Sequence, residues 1–185
     1  MKIKNQVRFL LLRHPVYSNK KQSISLQCTM IKHVFGALLS IMIAELAGIL
    51  GSLATVPNIP TWYAGLAKPF FTPPSWIFGP VWTLLYAAMG VSAYLLWMHR
   101  ERPYARKALV VYGVQLVFNL AWSLVFFGLQ QLIGGAVVIL LLLGLIVYLT
   151  VLAFRVQKTA GWLLVPYLAW VSFATLLNIS LAILN

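Results

Sequence analysis

The stretch Gly135-Ala-Val-Val-Ile-Leu-Leu-Leu-Leu-Gly144 lies inside a run of 23 residues, 132–154, that has no charged side chain. An α-helix rises about 1.5 Å per residue, so about 20 apolar residues cross the ~30 Å hydrocarbon core of a bilayer. Strands of a membrane β-barrel would alternate apolar and polar residues over about ten positions, and this stretch does not alternate. It predicts a transmembrane helix.

Four other runs have a similar length and composition. The five predicted spans are residues 34–53, 76–98, 108–129, 132–154 and 162–184. Hydrophobic residues make up 62% of the chain and charged residues 9%, whereas soluble domains carry about 25% charged residues. The sequence therefore predicts an all-α integral membrane protein, a bundle of five transmembrane helices in residues 33–185.

The basic residues predict the orientation of this bundle. Of 14 Lys and Arg, seven precede the first span, four lie in the second loop and two in the fourth, which leaves Lys68 alone on the opposite side. Cytoplasmic loops carry the positive excess, so we expect the amino terminus inside and the carboxyl terminus outside. Because these residues flank membrane spans, the bilayer and not a nucleic acid explains the net charge of +12.

The first 32 residues form a basic extension with no clear role. The apolar stretch 9–12 has four residues, fewer than the ~7 needed for the core of a signal peptide. Met30 stands just before the first span. We expect residues 1–29 to be dispensable, either disordered or the product of a non-native start.

Residues for conventional catalysis are scarce. The acids are Glu45 and Glu101, and the histidines His14, His33 and His99 lie at or outside the ends of the spans. No carboxylate pair, metal-ligand spacing or phosphate-binding glycine loop is present, and hydrolysis, phosphoryl transfer and zinc chemistry depend on such groups. We expect neither a conventional enzyme nor a bound metal.

The first loop, residues 54–75, is unusually rich in proline and aromatic residues. Prolines 60, 69, 73 and 74 fix φ and lower the entropy of the unfolded loop, and Thr72 is placed to cap the second helix. We predict an ordered lid over the outer end of the bundle. The alternative is an interfacial loop whose tryptophans belong to the aromatic belt.

Polar and aromatic residues recur at helical spacing inside three spans. The stripes are Trp82, Tyr86 and Met89; Tyr112, Gln115, Asn119, Trp122 and Phe126; and Tyr167, Trp170, Ala174 and Asn178. Amides are costly in hydrocarbon and so face the bundle interior. Hydrogen bonds between helices, worth ~0.6 kcal/mol on average, would explain Gln115 or Asn178 singly. The matching depths of all three stripes predict one cavity in the outer half.

Glu45 is the one formal charge in a predicted span. A charge at this depth costs about 3 kcal/mol or more, so we expect the carboxyl to be protonated or hydrogen-bonded. It could contact a ligand, relay a proton or fasten helices. The adjacent small residues Ala44, Ala47, Gly48 and Gly51 favour fastening.

Several motifs resemble the tryptophan-rich sensory protein or translocator protein family (TspO/MBR, the peripheral benzodiazepine receptor). They are Trp62-Tyr-Ala-Gly-Leu-Ala-Lys-Pro69, Phe78-Gly-Pro-Val-Trp-Thr-Leu-Leu-Tyr86, Asn119-Leu-Ala-Trp122 and Pro166-Tyr-Leu-Ala-Trp170. The resemblance covers residues 34–185. It implies a five-helix protein, often a homodimer, that binds tetrapyrroles such as protoporphyrin IX or haem in sensing, sequestration or transport.

The resemblance also assigns a pocket beneath the first loop, and Lys68 is placed to meet a propionate of the ligand. The expected ligand-binding residues are Trp62, Lys68, Trp82, Tyr86, Asn119, Trp122, Trp170 and Ala174. An alternative is an enzyme that degrades porphyrin by light or oxidation, using Trp82 and Trp170. The last span lacks the tyrosine and basic residue of the animal sterol motif, which favours a porphyrin ligand and a bacterial plasma membrane.

Overall fold

The computed structural model describes the backbone of residues 15–185 and the side chains of Gln27 and residues 30–185. The chain divides into two units, residues 1–37 and 38–185. Much of the predicted extension, residues 1–32, lies outside the described residues, and its described backbone belongs to a helix. The candidate site lies entirely in the second unit.

Every regular element in residues 15–185 is helical. The helices are α1 (Pro15–Thr55), α2 (Phe78–Met98), α3 (Ala105–Ser123), α4 (Leu132–Val156) and α5 (Lys158–Leu184). Five stretches of the described chain are long and apolar enough to cross a membrane: Met30–Tyr63, Ser75–Met98, Ala105–Gly128, Leu132–Val156 and Lys158–Leu184. The prediction of an all-α, multi-pass membrane protein is confirmed.

The first span ends later than predicted. A 3₁₀ turn, Val56–Asn58, and a π-helical turn, Ile59–Tyr63, follow α1 directly, and the non-helical part of the loop is residues 66–74. The predicted start of the loop at residue 54 is therefore wrong. Pro57 and Pro60 are the second residues of these turns, where a missing N–H costs little, and the change of helix type accommodates them.

Residues 66–74 are held by specific contacts. The side chain of Asn185 accepts a hydrogen bond from the Ala67 N–H at 2.9 Å and donates one to the Ala67 carbonyl at 3.0 Å. Phe71 packs on Phe173 of α5, with ring centroids 6.2 Å apart. The predicted cap by Thr72 is wrong, because its hydroxyl donates to the Pro69 carbonyl and the 3₁₀ turn Ser75–Ile77 precedes α2.

Two apolar clusters fill the bundle. The larger includes fully buried residues of α2, α4 and α5, such as Leu96, Leu142, Ile146, Leu164 and Val171. The smaller is aromatic and consists of Tyr63, Phe126, Phe127, Leu177 and Leu181, with Trp62 and Trp122 packed against it. This second cluster adjoins the candidate site.

Small residues bring α1 close to α2 and α3. A Cβ at Gly90 would lie 2.5 Å from the Ile41 Cα, so the backbones of α1 and α2 touch there. Gly48 packs directly on the ring of Tyr86, and a Cβ at Gly51 would lie 3.0 Å from the Ser123 hydroxyl. The close contacts predicted from the small residues of α1 are present, and Glu45 lies among them.

Candidate ligand-binding site

A cavity of about 470 Å³ lies between four of the described helices. Its walls come from α1 and the turns after it, from α2 and the turn before it, from α3 with the π-helical turn Leu124–Gly128, and from α5. The volume falls in the range of about 300–1,000 Å³ found for small-molecule sites. Members of all three predicted stripes, on α2, α3 and α5, line this cavity, whereas five other members do not: Met89, Tyr112, Gln115, Tyr167 and Trp170.

Aromatic rings form much of the wall. The Trp82 ring centroid lies 6.4 Å from that of Trp122 and 5.6 Å from that of Tyr86. Trp122 stacks on Phe126 with centroids 5.6 Å apart and an interplanar angle of 17°. Such rings offer flat apolar faces, which favour offset-stacked or edge-to-face contact with another aromatic system.

A buried hydrogen-bond network holds the polar wall residues in place. The Tyr86 hydroxyl donates to Asn119 Oδ1, Asn119 Nδ2 donates to the Tyr167 oxygen at 3.1 Å, and the Tyr167 hydroxyl donates to Gln115 Oε1 at 2.8 Å. Tyr86 and Asn119 line the cavity, whereas Gln115 and Tyr167 stand behind it. Gln115 therefore forms a hydrogen bond between helices, which is the role expected of it when it is taken alone. The network holds the side chains of Tyr86 and Asn119 in position.

Replacing Asn119 with leucine should lower the stability of the protein. The change removes two hydrogen bonds and leaves the Tyr86 hydroxyl buried without an acceptor, which should cost about 2 kcal/mol. For a chain of this size we expect the thermal midpoint to fall by roughly 4–8 °C, measured in lipid nanodiscs.

The matched control for Asn119→Leu is Ser180→Ala, because Ser180 lies outside the cavity wall and its hydroxyl donates within its own helix. We expect its midpoint to stay within about 2 °C of the parent protein. Equal midpoints for both variants would contradict the network.

Several polar atoms in the wall form no hydrogen bond with any described residue. They are both amide atoms of Asn178, the Tyr63 hydroxyl and the Trp122 Nε1. Asn178 is 2% exposed and Tyr63 4% exposed, so both side chains are buried. A buried polar group without a partner costs about 1–3 kcal/mol, which is unusual enough in native proteins to need an explanation.

Three of the expected ligand-binding residues do not line the wall. The Trp62 ring packs on Phe126, with centroids 5.4 Å apart, and the Trp170 ring packs on Phe78 at 6.0 Å. Lys68 Nζ donates to the Ala64 carbonyl at 2.9 Å. Trp62 and Trp170 therefore support lining residues from outside, whereas Lys68 is exposed. The expected residues that do line it are Trp82, Tyr86, Asn119, Trp122 and Ala174.

Glu45 lies in the wall and is partly buried. Of the described residues that line the cavity, it alone carries a formal charge. The ion pair observed in the described part of the chain, Arg100 with Glu101 at 3.6 Å, does not involve it.

Sequence reasoning missed the contribution of α1. Beyond Glu45, the helix and its following turns add Gly48, Ser52, Thr55, Ile59 and Tyr63 to the wall. These positions recur every three or four residues, so they form one face of the helical stretch. The small and polar members of that face were the available signal.

Helices that are long and apolar enough to cross a membrane surround a cavity with several aromatic rings in its wall, so the protein is of the multi-pass membrane class. Comparison with known proteins identifies the class more narrowly. The model of the TspO/MBR family matches residues 40–184, and the chain belongs to this family.

Relatives come from all three domains of life. The tryptophan-rich protein TspO of Archaeoglobus fulgidus is 42% identical over 79% of this chain and 94% of its own length. The tryptophan-rich protein TspO of Chlorobaculum tepidum is 42% identical over 84% of this chain and 99% of its own length. The translocator protein of Homo sapiens is 45% identical over 63% of this chain and 70% of its own length.

Proposed function

We propose that the protein binds a tetrapyrrole, protoporphyrin IX or haem, within the membrane and acts in its sensing, sequestration or transport. The observation that carries this proposal is the cavity itself, with Trp82 and Trp122 facing it from neighbouring helices. Some relatives are named translocator protein or tryptophan-rich sensory protein, which agrees with a ligand that is moved or detected.

The chemistry of the wall suits a flat, largely apolar macrocycle. Stacking between aromatic systems contributes about 0.5–1.5 kcal/mol per pair beyond the burial of area, and burial itself contributes about 25 cal/mol per Å². Ala174, on the α5 side, is small and leaves room beside the indoles. A tetrapyrrole is thus an expected ligand, and no resident cofactor is required.

Titration of the purified protein with protoporphyrin IX tests the proposal. We expect saturable quenching of tryptophan fluorescence, and we expect Trp82→Leu to weaken binding at least tenfold, because the loss of one stacking face and its buried area exceeds 1.4 kcal/mol. The matched control is Trp97→Leu. Trp97 is 52% exposed and stacks on Tyr94 at the other end of α2. Unsaturable quenching, or equal affinities for both variants, would refute the proposal.

The orientation, the membrane and the assembly are also proposals. We propose that the loop containing Lys68 lies outside and that the loop containing Arg100 and Lys107 is cytoplasmic, because basic residues concentrate there. A bacterial plasma membrane and a homodimer complete the proposal. Porphyrin degradation by Trp82 and Trp170 is not proposed, since Trp170 stands behind the cavity wall.

A further inference from the structure

Three side chains in the cavity wall have polar atoms without hydrogen-bond partners among the described residues. Tyr63 follows α1, Trp122 belongs to α3 and Asn178 to α5, so three separate elements contribute. Tyr63 and Trp122 belong to the same aromatic cluster, which also contains Leu177 and Leu181 on either side of Asn178 in sequence. Tyr63, Trp122 and Asn178 all line the same cavity.

These atoms are mainly hydrogen-bond donors. The indole N–H of Trp122 only donates, the amide nitrogen of Asn178 donates, and the hydroxyl of Tyr63 can donate or accept. The side-chain amide can turn about χ2, which is a broad torsion. Donors supplied by three elements that line one cavity complement an acceptor with several lone pairs, such as a carboxylate.

The charge in the cavity lies elsewhere. Glu45 is one turn before Gly48, which packs on Tyr86. Tyr63 follows about five turns later in the same helical stretch. The donor at Tyr63 is therefore separated along this helical stretch from the acidic side chain in the wall.

We infer that Asn178, Tyr63 and Trp122 form a subsite for a carboxylate of the ligand, which fixes the orientation of a tetrapyrrole by its propionates. This inference rests on the proposed function. It also gives these three residues the role that sequence reasoning gave to Lys68, whose ammonium bonds the Ala64 and Leu66 carbonyls.

Protoporphyrin IX and its dimethyl ester are the two probes of this subsite, since they share the macrocycle and differ in the free carboxylates. For the parent protein we expect the diacid to bind about tenfold more tightly than the ester. Asn178→Leu should remove most of this preference by weakening the diacid about tenfold while the ester changes less than about twofold. Ser180→Ala, on the same helix but outside the cavity wall, should keep the preference.

Tyr63→Phe removes a single oxygen and provides a second test if Asn178→Leu does not fold. It should reduce the preference for the diacid at least threefold. The inference fails, while tetrapyrrole binding stands, if both probes bind the parent protein equally or if both variants weaken the two probes alike. It also fails if Lys68→Gln, instead of these variants, removes the preference. If neither probe binds the parent protein, the proposed function and the subsite fail together.

Discussion

Replacing Gly90 with alanine is expected to destabilise the protein strongly, although it adds only one methyl group. The new Cβ would lie 2.5 Å from the Ile41 Cα, 2.8 Å from the Ile41 nitrogen and 3.0 Å from the Ser40 carbonyl oxygen. All three are backbone atoms, so no side chain can turn away and α1 must move from α2. Overpacking of this kind costs about 1–3 kcal/mol, and we expect the upper end, a fall of roughly 6–12 °C in thermal midpoint.

Gly113→Ala is the matched control for Gly90→Ala. A Cβ at Gly113 would meet nothing within 4 Å, and alanine is favoured over glycine inside a helix by up to about 1 kcal/mol. Its midpoint should be unchanged or slightly higher. A neutral Gly90→Ala variant would mean that α1 and α2 do not cross at this position.

Ala174→Phe is expected to abolish tetrapyrrole binding without unfolding the protein. Ala174 lines the cavity and is 7% exposed, so a phenyl ring there would occupy space that the macrocycle needs. We expect at least a 30-fold loss of affinity for protoporphyrin IX, equivalent to about 2 kcal/mol, measured by fluorescence quenching.

Ala169→Phe serves as the control on the same helix. Ala169 is exposed on the outer surface of α5, where a phenyl ring meets lipid, and binding should stay within about twofold. Comparable affinities for Ala174→Phe and the parent protein would place the ligand outside the cavity. If the thermal midpoint falls by more than a few degrees for Ala174→Phe alone, the loss of binding could reflect unfolding. A smaller side chain at the same position would then be used to repeat the measurement.

Much of the fold could be predicted because the bilayer imposes a simple length and composition rule. The run at residues 132–154 and the helix Leu132–Val156 begin together and differ by two residues at the end. The end of the first span could not be predicted in this way. Pro57 and Pro60 normally suggest a break in a helix, yet here the chain continues through 3₁₀ and π-helical turns, and tertiary packing of Tyr63 supports them.

The site was predictable where polarity forces a side chain inward. Asn119, with two polar atoms to satisfy, had to face the bundle interior, and it lines the cavity next to Tyr86. Trp62 and Trp170 could not be placed in this way, because an aromatic ring can be buried both in a cavity wall and one layer behind it. Helical spacing alone does not distinguish a residue that lines the cavity from one that packs behind the wall, since the two positions are only one side chain apart across the bundle.

The donors at Tyr63 and Asn178 could not be assigned a role from sequence. A buried amide is usually bonded to a neighbouring helix, and that interpretation was reasonable for Asn178 taken singly. Only the coordinates show that no described residue bonds its amide. An unfilled hydrogen-bonding capacity is a property of the packed structure, and it points to the ligand more directly than the residue type does.

An experimentally determined structure of the protein with protoporphyrin IX in lipid nanodiscs tests the central claim most directly. We expect the macrocycle to lie between α2 and α5, in contact with Trp82, Trp122 and Ala174, with a propionate bonded to Asn178. A macrocycle bound on the lipid-facing surface, with the cavity between these helices left empty, would contradict it.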